Sequence, residues 1–592
     1  MGTAQPSRLA EGSAQALSHV VRVVPDVSGI DKTFDYLVPD RFGNVEVGAI
    51  VRVPLNGRRV DAWVISCDSV TPASGTYELK EILEVASCGP PPDVVDLAQW
   101  CARRFAGPLR AVLSIASPQK RVKRLAQAIP VTPRERRPSS PQIDQLCAQG
   151  GGVVIWSPLR PWRGLLESVL KRGRSLVVCP GVSTARTIGN ALRREGFTVA
   201  IMPDDWQRAA EGADVVIGAR SAVWSPCVDL AAVVVLDEHD ERLQDERSPT
   251  WHTRDVAVER ARRSGIPCIL VSPIPTVAAV EWAGVNRVVE PDDATRGWPS
   301  IVVVDPFTSA HEDEAPRIGI VSSALIEQLR DPRKVVACVL NTKGRARLVA
   351  CRSCRDVARC EKCDAAMALD GTLSCPACGH ERPVVCVRCG SGAFALLRKG
   401  VSRAREEIEA AAGRTVIEIT GDATTAANDS GAVYVGTEAM LHRLHSADVV
   451  AFLDFDNEVF APTYRAGEHA WTLVALASRL LRSSADPLII LQSNDATNES
   501  LQTFANPNPS VLISDERKKR QALGLPPFSL MARVAGDSAT ADILDAPPLG
   551  VSVGALRPGE WLVRSSDEQQ FIEFCDVLRR AHARVYCDPQ RY

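Results

Sequence analysis

Four pairs of cysteines constrain the fold of this chain more than any other feature. The pairs are Cys351/Cys354, Cys360/Cys363, Cys375/Cys378 and Cys386/Cys389, separated by five, eleven and seven residues. Two thiolates with two residues between them on one tight turn can bind the same Zn²⁺, and two such turns complete a tetrahedral four-cysteine site. Four turns therefore predict a compact region that folds around two zinc ions, and the spacing alone permits either nested or sequential pairing.

The remaining cysteines favour zinc over a disulfide framework. Ten more of the 18 cysteines are scattered through the chain, many in apolar runs such as Leu176–Cys179, which is typical of buried thiols in a reducing compartment. Met1–Leu17 has one arginine and no apolar core of a signal peptide. No apolar stretch approaches the ~20 residues that cross a bilayer. We therefore expect a soluble, cytoplasmic protein without a membrane partner.

The chain is long enough for several domains, since 592 residues with 45% hydrophobic composition exceed one core. Val20–Cys67 alternates short β-rich runs with turn residues, which predicts a small β-barrel or sandwich. A helical pattern covers Pro92–Phe105, and Ser117–Pro141 is rich in Pro, Arg and Lys without an apolar period, as in a linker. A net charge of −2 gives no global polybasic field, so any contact with nucleic acid must come from local patches.

From Gly151 onwards, short apolar runs alternate with amphipathic helices. The candidate strands are Val153–Trp156, Ser175–Cys179, Val199–Met202, Val215–Gly218, Ala232–Leu236 and Cys268–Ser272, and then Val335–Leu340, Val416–Ile419, Ala432–Gly436 and Val449–Asp454. Strands that are apolar on both faces and joined by helices predict parallel α/β sheets. The cysteine pairs interrupt the second series, so we expect a zinc region inserted in a second α/β lobe.

These features, in this order, resemble the PriA family of replication restart proteins, also called primosomal protein N-prime, which are superfamily 2 helicases. The resemblance runs from about Val20 to the C-terminus. It is carried by the stretches Thr33–Tyr36, Ile217–Ala222, Trp251–Asp255, Gly436-Thr437, Tyr464–Glu468 and Leu525–Phe528 around the cysteine region. The implied fold is a β-rich N-terminal DNA-binding module, two RecA-like lobes with a two-zinc insertion in the second, and a small α+β C-terminal domain.

The resemblance also predicts domain boundaries. We expect a 3′-end DNA-binding-like domain at 18–118, a linker at 119–150, lobe 1 at 151–305, lobe 2 at 306–350 and 391–505, the zinc region at 351–390 and the C-terminal domain at 506–592. The family places a winged helix before lobe 1, but only about 45 residues separate Phe105 from Gly151, too few for that domain.

The helicase motifs depart from the family pattern. A P-loop needs glycine amides that cradle phosphates, a Lys and a Ser/Thr. At that place the chain has Ser157-Pro-Leu-Arg-Pro-Trp-Arg-Gly164, in which two prolines remove amides and Trp162 adds bulk. The family's Ser-Ala-Thr-Pro motif reads Ser272–Pro275. Its arginine-finger motif reads Leu476–Arg482 without the Gln or glycines, and its Lys-Gly-His segment reads Leu441–Arg443.

One acidic motif is half kept, because Asp237-Glu238 follows the strand Ala232–Leu236. These carboxylates suit Mg²⁺, but without a triphosphate cradle beside them we interpret them as vestigial and as solvent-exposed groups at a strand end. The sequence therefore disfavours ATP and Mg²⁺ as cofactors and leaves no catalytic residue that we would assign.

The resemblance implies two sets of binding residues. The 3′-end pocket of the family carries over to Phe34, Asp35, Gly57 and Lys80, with Asn56 competing with Gly57 for the same turn and a core aromatic as the alternative role of Phe34. The family's nested zinc pairing implies Cys351, Cys354, Cys386 and Cys389 on one ion and Cys360, Cys363, Cys375 and Cys378 on the other. Three basic segments are either phosphate contacts or solvated surface, namely Lys120–Arg124, Arg134–Arg137 and Arg517–Arg520.

We therefore expect a bacterial, nucleoid-associated replication restart factor. It binds stalled, forked or single-stranded DNA and helps to assemble the primosome without ATP-driven unwinding. By family analogy the recruited partners are primosome proteins, the loading machinery of the replicative helicase and single-stranded-DNA-binding protein. Two alternatives remain open: an active ATP-dependent 3′→5′ DNA helicase with an unorthodox nucleotide site, and a zinc-scaffolded interaction module without DNA binding.

Overall fold

The computed structural model describes residues 18–70, 79–126, 128, 140–291, 296–306, 320–341, 349–354, 356–362, 365–376, 379–396, 401–419 and 431–589. Four larger sheets organise these residues, one antiparallel near the N-terminus, two parallel in the middle and one antiparallel near the C-terminus. The predicted multidomain α/β class is confirmed at this level. Among the described residues, no helix combines the length and apolar character needed to span a lipid bilayer.

The N-terminal sheet is a small barrel with the strand order β2-β1-β4-β3-β5. Its strands are β1 (Ser18–Pro25), β2 (Phe34–Leu37), β3 (Ile50–Leu55), β4 (Arg58–Val70) and β5 (Glu84–Ser87). The N–H of Leu37 donates to Lys80 and the N–H of Ile82 donates to Leu37, so the residues before β5 close the sheet against β2. Alternate residues such as Val51 and Val53 point into the barrel core, as the period of two predicts.

Helices α1 (Pro92–Arg104) and α2 (Leu109–Ala116) follow the barrel. The residues after α2, expected to form a linker, are partly built into the structure. The N–H of Val122 donates to Ser87 Oγ at 2.9 Å, and the N–H of Cys88 donates to the carbonyl of Val122. Helix α3 (Pro141–Ala148) then packs through Ile143 and Leu146, so the described parts of 119–150 are not a free tether.

The first α/β unit, from α3 to residue 291, contains a seven-stranded parallel sheet with the order β12-β6-β11-β10-β7-β9-β8. Its strands are β6 (Gly151–Ile155), β7 (Ser175–Val178), β8 (Val199–Ile201), β9 (Val215–Gly218), β10 (Ala232–Leu236), β11 (Cys268–Ser272) and β12 (Val288–Val289). Its other helices are α4 (Arg163–Leu170), α5 (Val182–Arg194), α6 (Trp206–Ala210), α7 (Thr253–Ser264) and α8 (Val277–Ala283). The six strands predicted here are confirmed, and all residues of β7, β9, β10 and β11 are buried.

The second α/β unit, residues 296–341 and 401–508, has a six-stranded parallel sheet with the order β13-β23-β22-β14-β21-β20. The strands are β13 (Ser300–Val304), β14 (Val336–Val339), β20 (Val416–Ile419), β21 (Val433–Gly436), β22 (Val449–Phe452) and β23 (Leu488–Gln492). The helices are α9 (Ser323–Arg330), α10 (Val401–Ala412), α11 (Asp456–Val459), α12 (Ala466–Leu480) and α13 (Glu499–Ala505). β13 pairs with β23 of this sheet, so the expected boundary at residue 305 is wrong and the division falls before Ser300.

The cysteine region interrupts this unit after β14 and contains short antiparallel pairs. They are formed by β15 (Val349–Cys351) with β19 (Phe394–Leu396), and by β16 (Ala368–Asp370), β17 (Thr372–Ser374) and β18 (Glu381–Arg382). Helix α14 (Pro509–Ala522) then leads to the C-terminal unit, a four-stranded antiparallel sheet with two helices. Its elements are β24 (Leu530–Ala535), α15 (Ser538–Leu544), β25 (Val551–Arg557), β26 (Glu560–Ser565), α16 (Glu568–Arg580) and β27 (Arg584–Cys587).

The C-terminal unit is fixed to the first α/β unit by polar contacts at the end of β27. Gln244 Nε2 donates to the carbonyl of Asp588 at 2.9 Å, and Thr250 Oγ1 donates to that of Cys587 at 2.9 Å. Arg104 of α1 pairs with Asp588 at 3.3 Å. The first α/β unit and α1 therefore both contact the C-terminal unit at the end of β27.

Candidate DNA, metal and nucleotide sites

An exposed ion pair lies at the edge of the barrel where β2 begins. Asp35 on β2 is opposite Arg22 on β1 in the antiparallel register. Arg22 Nε and Nη2 donate to the two carboxylate oxygens of Asp35 at 2.8 and 3.1 Å, and the two side chains are 49% and 38% exposed. An exposed pair contributes about 0–1 kcal/mol to stability. Asp35 therefore presents a fixed carboxylate at the surface, next to a guanidinium that sequence reasoning missed.

The other three predicted pocket residues lie on segments joined to β2. Phe34 is half-buried and packs against the barrel core, which supports a structural role for part of its ring. The carbonyl of Lys80 accepts from Leu37, so the exposed Lys80 lies alongside the end of β2. Gly57, with a φ of 74°, occupies the β3–β4 hairpin beside Asn56, whose φ is 47°. Tyr36 Oη donates to Pro54 at 3.1 Å and thus links β2 to that hairpin.

The outer two cysteine pairs come together in the cysteine region. Sγ of Cys351 is 3.5 Å from Sγ of Cys389, and Sγ of Cys354 is 3.5 Å from Sγ of Cys386. Sulfurs about 2.3 Å from a tetrahedral zinc are about 3.8 Å apart, so the group has the dimensions of a four-cysteine zinc site. All four ligand atoms lie within 4.8 Å of one another. Backbone N–H groups of Cys354 and Ser353 lower the pKa of Cys351 to about 6, which favours a metal-binding thiolate.

The inner two pairs are only partly described. Cys360 and Cys375 are buried in a small core with Met367 and Leu373, whereas Cys363 and Cys378 lie outside the described residues. The N–H of Cys360 donates to Ala365 and that of Cys375 donates to His380, which are tight turns of the kind that present cysteine ligands. The donor set fits zinc, and the second ion stays a prediction.

The acidic pair after β10 is buried, so the expectation of exposed carboxylates is wrong. Asp237 is 14% exposed and Glu238 is fully buried. Glu238 accepts hydrogen bonds from Thr276 N at 2.6 Å and Thr276 Oγ1 at 3.0 Å, and Arg254 Nη1 is 3.5 Å away. Burial raises the pKa of Glu238, while Arg254 and Thr276 counteract it. The physical reason is that Thr276 and α7 cover this strand end, which the local sequence could not show.

The loop after β6 does not form a phosphate cradle. Pro158 and Pro161 have no N–H, and the N–H of Leu159 donates to Gly297 at 3.1 Å. The N–H of Arg160 donates within the loop at 3.2 Å, and Trp162, immediately before α4, is buried. A triphosphate needs several free amides directed at its oxygens. The loop therefore departs from a P-loop in its structure as it does in its sequence.

Two arginines from the second α/β unit fill the space beside this loop. Arg479 Nη2 donates to Asp237 Oδ1 at 2.7 Å, and its Nη1 donates to the carbonyl of Pro158 at 2.5 Å. Its guanidinium also lies 4.0 Å from the centre of the Trp162 ring. Arg482 Nη2 donates to the same carbonyl of Pro158 at 3.0 Å. The arginines therefore bind protein groups beside the loop, and they join the two units.

The basic segments have different environments. Val122 in Lys120–Arg124 is buried against β5, while Arg121 pairs with Asp61 at 2.9 Å. Arg520 is buried and pairs with Glu468 and Glu516, both at 2.8 Å, so this member of Arg517–Arg520 is structural and unsuited to bind phosphate. Arg134–Arg137 lies outside the described residues.

Comparisons with known proteins support the resemblance. The PriA 3'DNA-binding domain (3'BD) matches residues 22–118, which include most of the barrel, α1 and α2. The probable replication restart protein PriA of Mycobacterium leprae is 27% identical over 573 residues, covering 88% of this chain and 87% of that protein. The corresponding Mycobacterium tuberculosis (strain H37Rv) protein is 28% identical and covers 88% and 86%.

The replication restart protein PriA of Bacillus subtilis is 25% identical over 405 residues, which cover 62% of this chain and 50% of that protein. The shorter match to a longer relative is consistent with a divergent chain. The resemblance to PriA predicted from the sequence is confirmed by these matches.

Proposed function

We propose that this chain is a replication restart factor that binds DNA forks and assembles replication proteins on them without ATP-driven unwinding. The observation that carries DNA binding is the match of residues 22–118 to the PriA 3'DNA-binding domain, in a segment folded as a barrel with exposed charged residues. The two α/β units correspond in this proposal to the two RecA-like lobes of the family. The site of action would be the nucleoid in the cytoplasm.

The barrel edge supplies the chemistry for a nascent 3′ end. The Asp35 carboxylate accepts a hydrogen bond from a 3′-hydroxyl, and the exposed part of Phe34 stacks on the terminal base. Lys80 meets a backbone phosphate, and Gly57 lets the hairpin approach the strand closely. Arg22 orients the Asp35 carboxylate by two hydrogen bonds. A strand that ends in phosphate would place two anions together at this carboxylate.

The interface between the α/β units supports function without ATP. Arg479 binds the carboxylate of Asp237 and a carbonyl of the loop, so a metal ion would first have to displace a buried guanidinium. Glu238, which would polarise water in an active enzyme, receives two hydrogen bonds from Thr276 and is shielded from solvent. In this proposal the two units are a rigid scaffold that fixes the barrel relative to the cysteine region.

The cysteine region supports a structural metal role. We propose one zinc on Cys351, Cys354, Cys386 and Cys389, whose sulfurs are already grouped. We propose a second zinc on Cys360, Cys363, Cys375 and Cys378. Zinc bound by these thiolates would cross-link a region that has few buried side chains. The free energy of metal binding would there contribute directly to the stability of the fold. The surface so formed would recruit primosome proteins, a helicase loader or single-stranded-DNA-binding protein.

One experiment separates the proposal from its alternatives. Fluorescence anisotropy would compare a forked duplex with a free nascent 3′-hydroxyl and the same fork with a 3′-phosphate, each with and without ATP. We expect tighter binding of the free end and no effect of ATP. Failure to bind any fork would support an interaction module without DNA binding. In a parallel assay, DNA-stimulated ATP hydrolysis that is lost in a folded Asp237→Asn variant would support the active helicase.

Metal analysis of the purified full chain tests the zinc proposal. We expect two zinc ions per chain, and the loss of one in Cys386→Ser. The matched control is Cys575→Ser, because Cys575 is a buried thiol of the C-terminal unit, remote in sequence from the cysteine pairs. That control should keep both ions. One ion in the wild-type protein would restrict zinc to a single site.

A further inference from the structure

A buried imidazole is surrounded by carboxylates at the interface between the two α/β units, apart from the cysteine pairs. His469 lies in the first turn of α12, Glu458 lies in α11, and Glu438 begins the 3₁₀ helix Glu438–His442. Nε2 of His469 is 3.3 Å from Glu438 Oε2 and 3.4 Å from Glu458 Oε2. The His469 and Glu458 side chains are 7% and 2% exposed. The second unit thus brings one nitrogen and two carboxylates together, with His469 and Glu458 buried and Glu438 30% exposed.

The contact of the other ring nitrogen, Nδ1, determines which nitrogen of His469 faces the two carboxylates as a possible ligand. Nδ1 of His469 contacts Oε1 of Glu241, which comes from the first α/β unit. An ionised carboxylate only accepts hydrogen bonds, so Nδ1 carries the proton. Nε2 is buried and faces the carboxylates of Glu438 and Glu458 without a well-aligned hydrogen bond to either. Histidines that bind metals donate their second ring N–H to a carboxylate in this way, which aims the free nitrogen at the ion.

Asn341 orients the two carboxylates that face Nε2. Its Nδ2 donates to Glu458 Oε1 at 2.7 Å and to Glu438 Oε2 at 3.3 Å, and its Oδ1 accepts from Glu438 N at 2.7 Å. The Asn341 contact takes one oxygen of Glu458 and leaves Oε2 as the atom nearest to the ring. Asn341 therefore holds Glu458 through the oxygen that does not face Nε2, and it holds Glu438 through its backbone N–H and through Oε2, the oxygen nearest to the ring. Supporting hydrogen bonds of this kind are found around metal ligands.

We propose that His469, Glu438 and Glu458 bind one divalent transition-metal ion, oriented by Glu241 and Asn341. Nitrogen and oxygen ligands about 2.1 Å from a tetrahedral ion lie about 3.4 Å apart. The separations of 3.3 and 3.4 Å between Nε2 and the two carboxylates match that value. One imidazole with two carboxylates suits ions such as Zn²⁺ or Mn²⁺ better than a thiolate-seeking ion. Three protein ligands leave a coordination position for water.

A proton competes with the metal for Nε2. Burial lowers the pKa of His469, but the carboxylates of Glu241, Glu438 and Glu458 outweigh burial and raise that pKa to about 10. A bound ion displaces this proton and takes over its contacts with the two carboxylates. Because Glu241 belongs to the first unit and the three ligands to the second, the ion would also strengthen the contact between the units.

Mn²⁺ is the probe, because it prefers oxygen and imidazole ligands and the zinc-loaded cysteine sites do not compete for it. Titration of the zinc-loaded full chain, followed by electron paramagnetic resonance, should show one bound Mn²⁺ per chain. Glu458→Gln keeps the size of the side chain and should weaken binding at least tenfold, as should His469→Gln. The matched control is Glu327→Gln, an exposed residue of α9 in the same unit, which should bind Mn²⁺ like the wild type.

The melting temperature provides a second measurement. Mn²⁺ should raise it in the wild type and in Glu327→Gln, and in neither ligand variant, because only a folded site binds the ion. A folded wild-type chain that binds no Mn²⁺ would overturn the proposal and show that His469 stays protonated among its carboxylates. Mn²⁺ binding that persists in both Glu458→Gln and His469→Gln would also overturn the proposal.

Discussion

The barrel edge and the interface between the α/β units both carry residues that resemble functional motifs of one family, but their environments are opposite. At the barrel edge, Asp35 and Arg22 are paired, exposed and reachable by a ligand. At the interface, Asp237 and Arg479 are paired at a similar distance, yet they are 14% and 13% exposed. The same kind of ion pair is thus a candidate binding surface in one place and part of the packed interior in the other.

This difference changes how the acidic motif is interpreted. Removing one partner of a buried ion pair leaves an uncompensated charge and costs about 3–5 kcal/mol. We therefore expect Asp237, Glu238 and Arg479 to contribute to stability whether or not the chain hydrolyses ATP. Their presence in the sequence is no evidence for catalysis, whereas the exposed Asp35 has no comparable structural reason to be there.

The largest expected effect is that of Arg479→Ala on stability. The substitution leaves Asp237 buried without its partner and removes hydrogen bonds to the loop at Pro158. We expect the free energy of unfolding to fall by about 3–5 kcal/mol, measured by urea denaturation. ATP hydrolysis should stay at background in both proteins.

The double variant Arg479→Ala/Asp237→Asn is the control for this pair. The double variant also removes the negative charge of Asp237, which the single variant leaves unpaired. Part of the lost free energy of unfolding should therefore return. Should Arg479→Ala be as stable as the wild type and lose DNA-stimulated ATP hydrolysis, the arginine would be catalytic and the comparison between the two regions would fail.

A smaller effect on stability is expected from His252, at the start of α7 in the stretch Trp251–Asp255. Its Nδ1 accepts from Arg254 N at 3.0 Å as the helix cap, and burial, followed by the charge of Arg254, lowers its pKa well below 6.5. The neutral ring is therefore favoured in the folded state. The contribution of this neutral ring to the free energy of unfolding is complete above pH 6.5. It decreases by about 1.4 kcal/mol per pH unit as the pH falls below 6.5.

His252→Asn isolates that effect, because asparagine caps a helix through its side-chain oxygen and does not titrate. The difference in unfolding free energy between wild type and variant should diminish steadily from pH 7 to pH 5. His442, whose pKa burial lowers to about 4, is present in both proteins and cancels. A difference independent of pH would mean that the imidazole is charged or reaches solvent, contrary to its buried position.

Local patterns in the sequence predicted much of the fold. Val215–Gly218, Ala232–Leu236 and Cys268–Ser272 are strands with the predicted bounds, because buried parallel strands are short apolar runs that end at recognisable residues. Ser300–Val304 was placed in the wrong unit. Its partner is Leu488–Gln492, and pairing across such a sequence separation leaves no local pattern.

The candidate sites show the same limit. Glu238 was expected at the surface, yet its environment comes from Thr276, 38 residues away, and the partner of Asp237 is 242 residues away. The outer cysteine group was expected because family resemblance supplied the nested pairing that spacing left open. Arg22 opposite Asp35 follows only from the register of β1 and β2, which the turn between them sets.

At the barrel edge, Asp35 should control discrimination between DNA ends. A 3′-phosphate near this carboxylate adds like-charge repulsion, so we expect wild-type affinity for the blocked fork to be about tenfold lower, roughly 1.4 kcal/mol. Asp35→Ala should abolish the difference and, by releasing Arg22, bind the blocked fork better than the wild type does. Asp35→Asn, which keeps an acceptor without charge, should retain a preference for the hydroxyl. Equal binding of both forks by the wild type would contradict the pocket.

The smallest expected effect is that of Lys80→Ala, which should weaken all forks similarly because a phosphate contact carries no information about the DNA end. The diagnostic quantity is the dependence of affinity on salt. Each neutralised phosphate contributes about 0.7–0.9 to the slope of log K against log salt, so the variant should lose about one unit. Lys334→Ala is the matched control, since Lys334 lies in the second α/β unit outside the basic segments and donates to Gln328 Oε1 at 2.7 Å. An unchanged slope in Lys80→Ala, or an equal loss in Lys334→Ala, would place the phosphate contacts away from the barrel edge and contradict the assignment of Asp35 to the 3′ end.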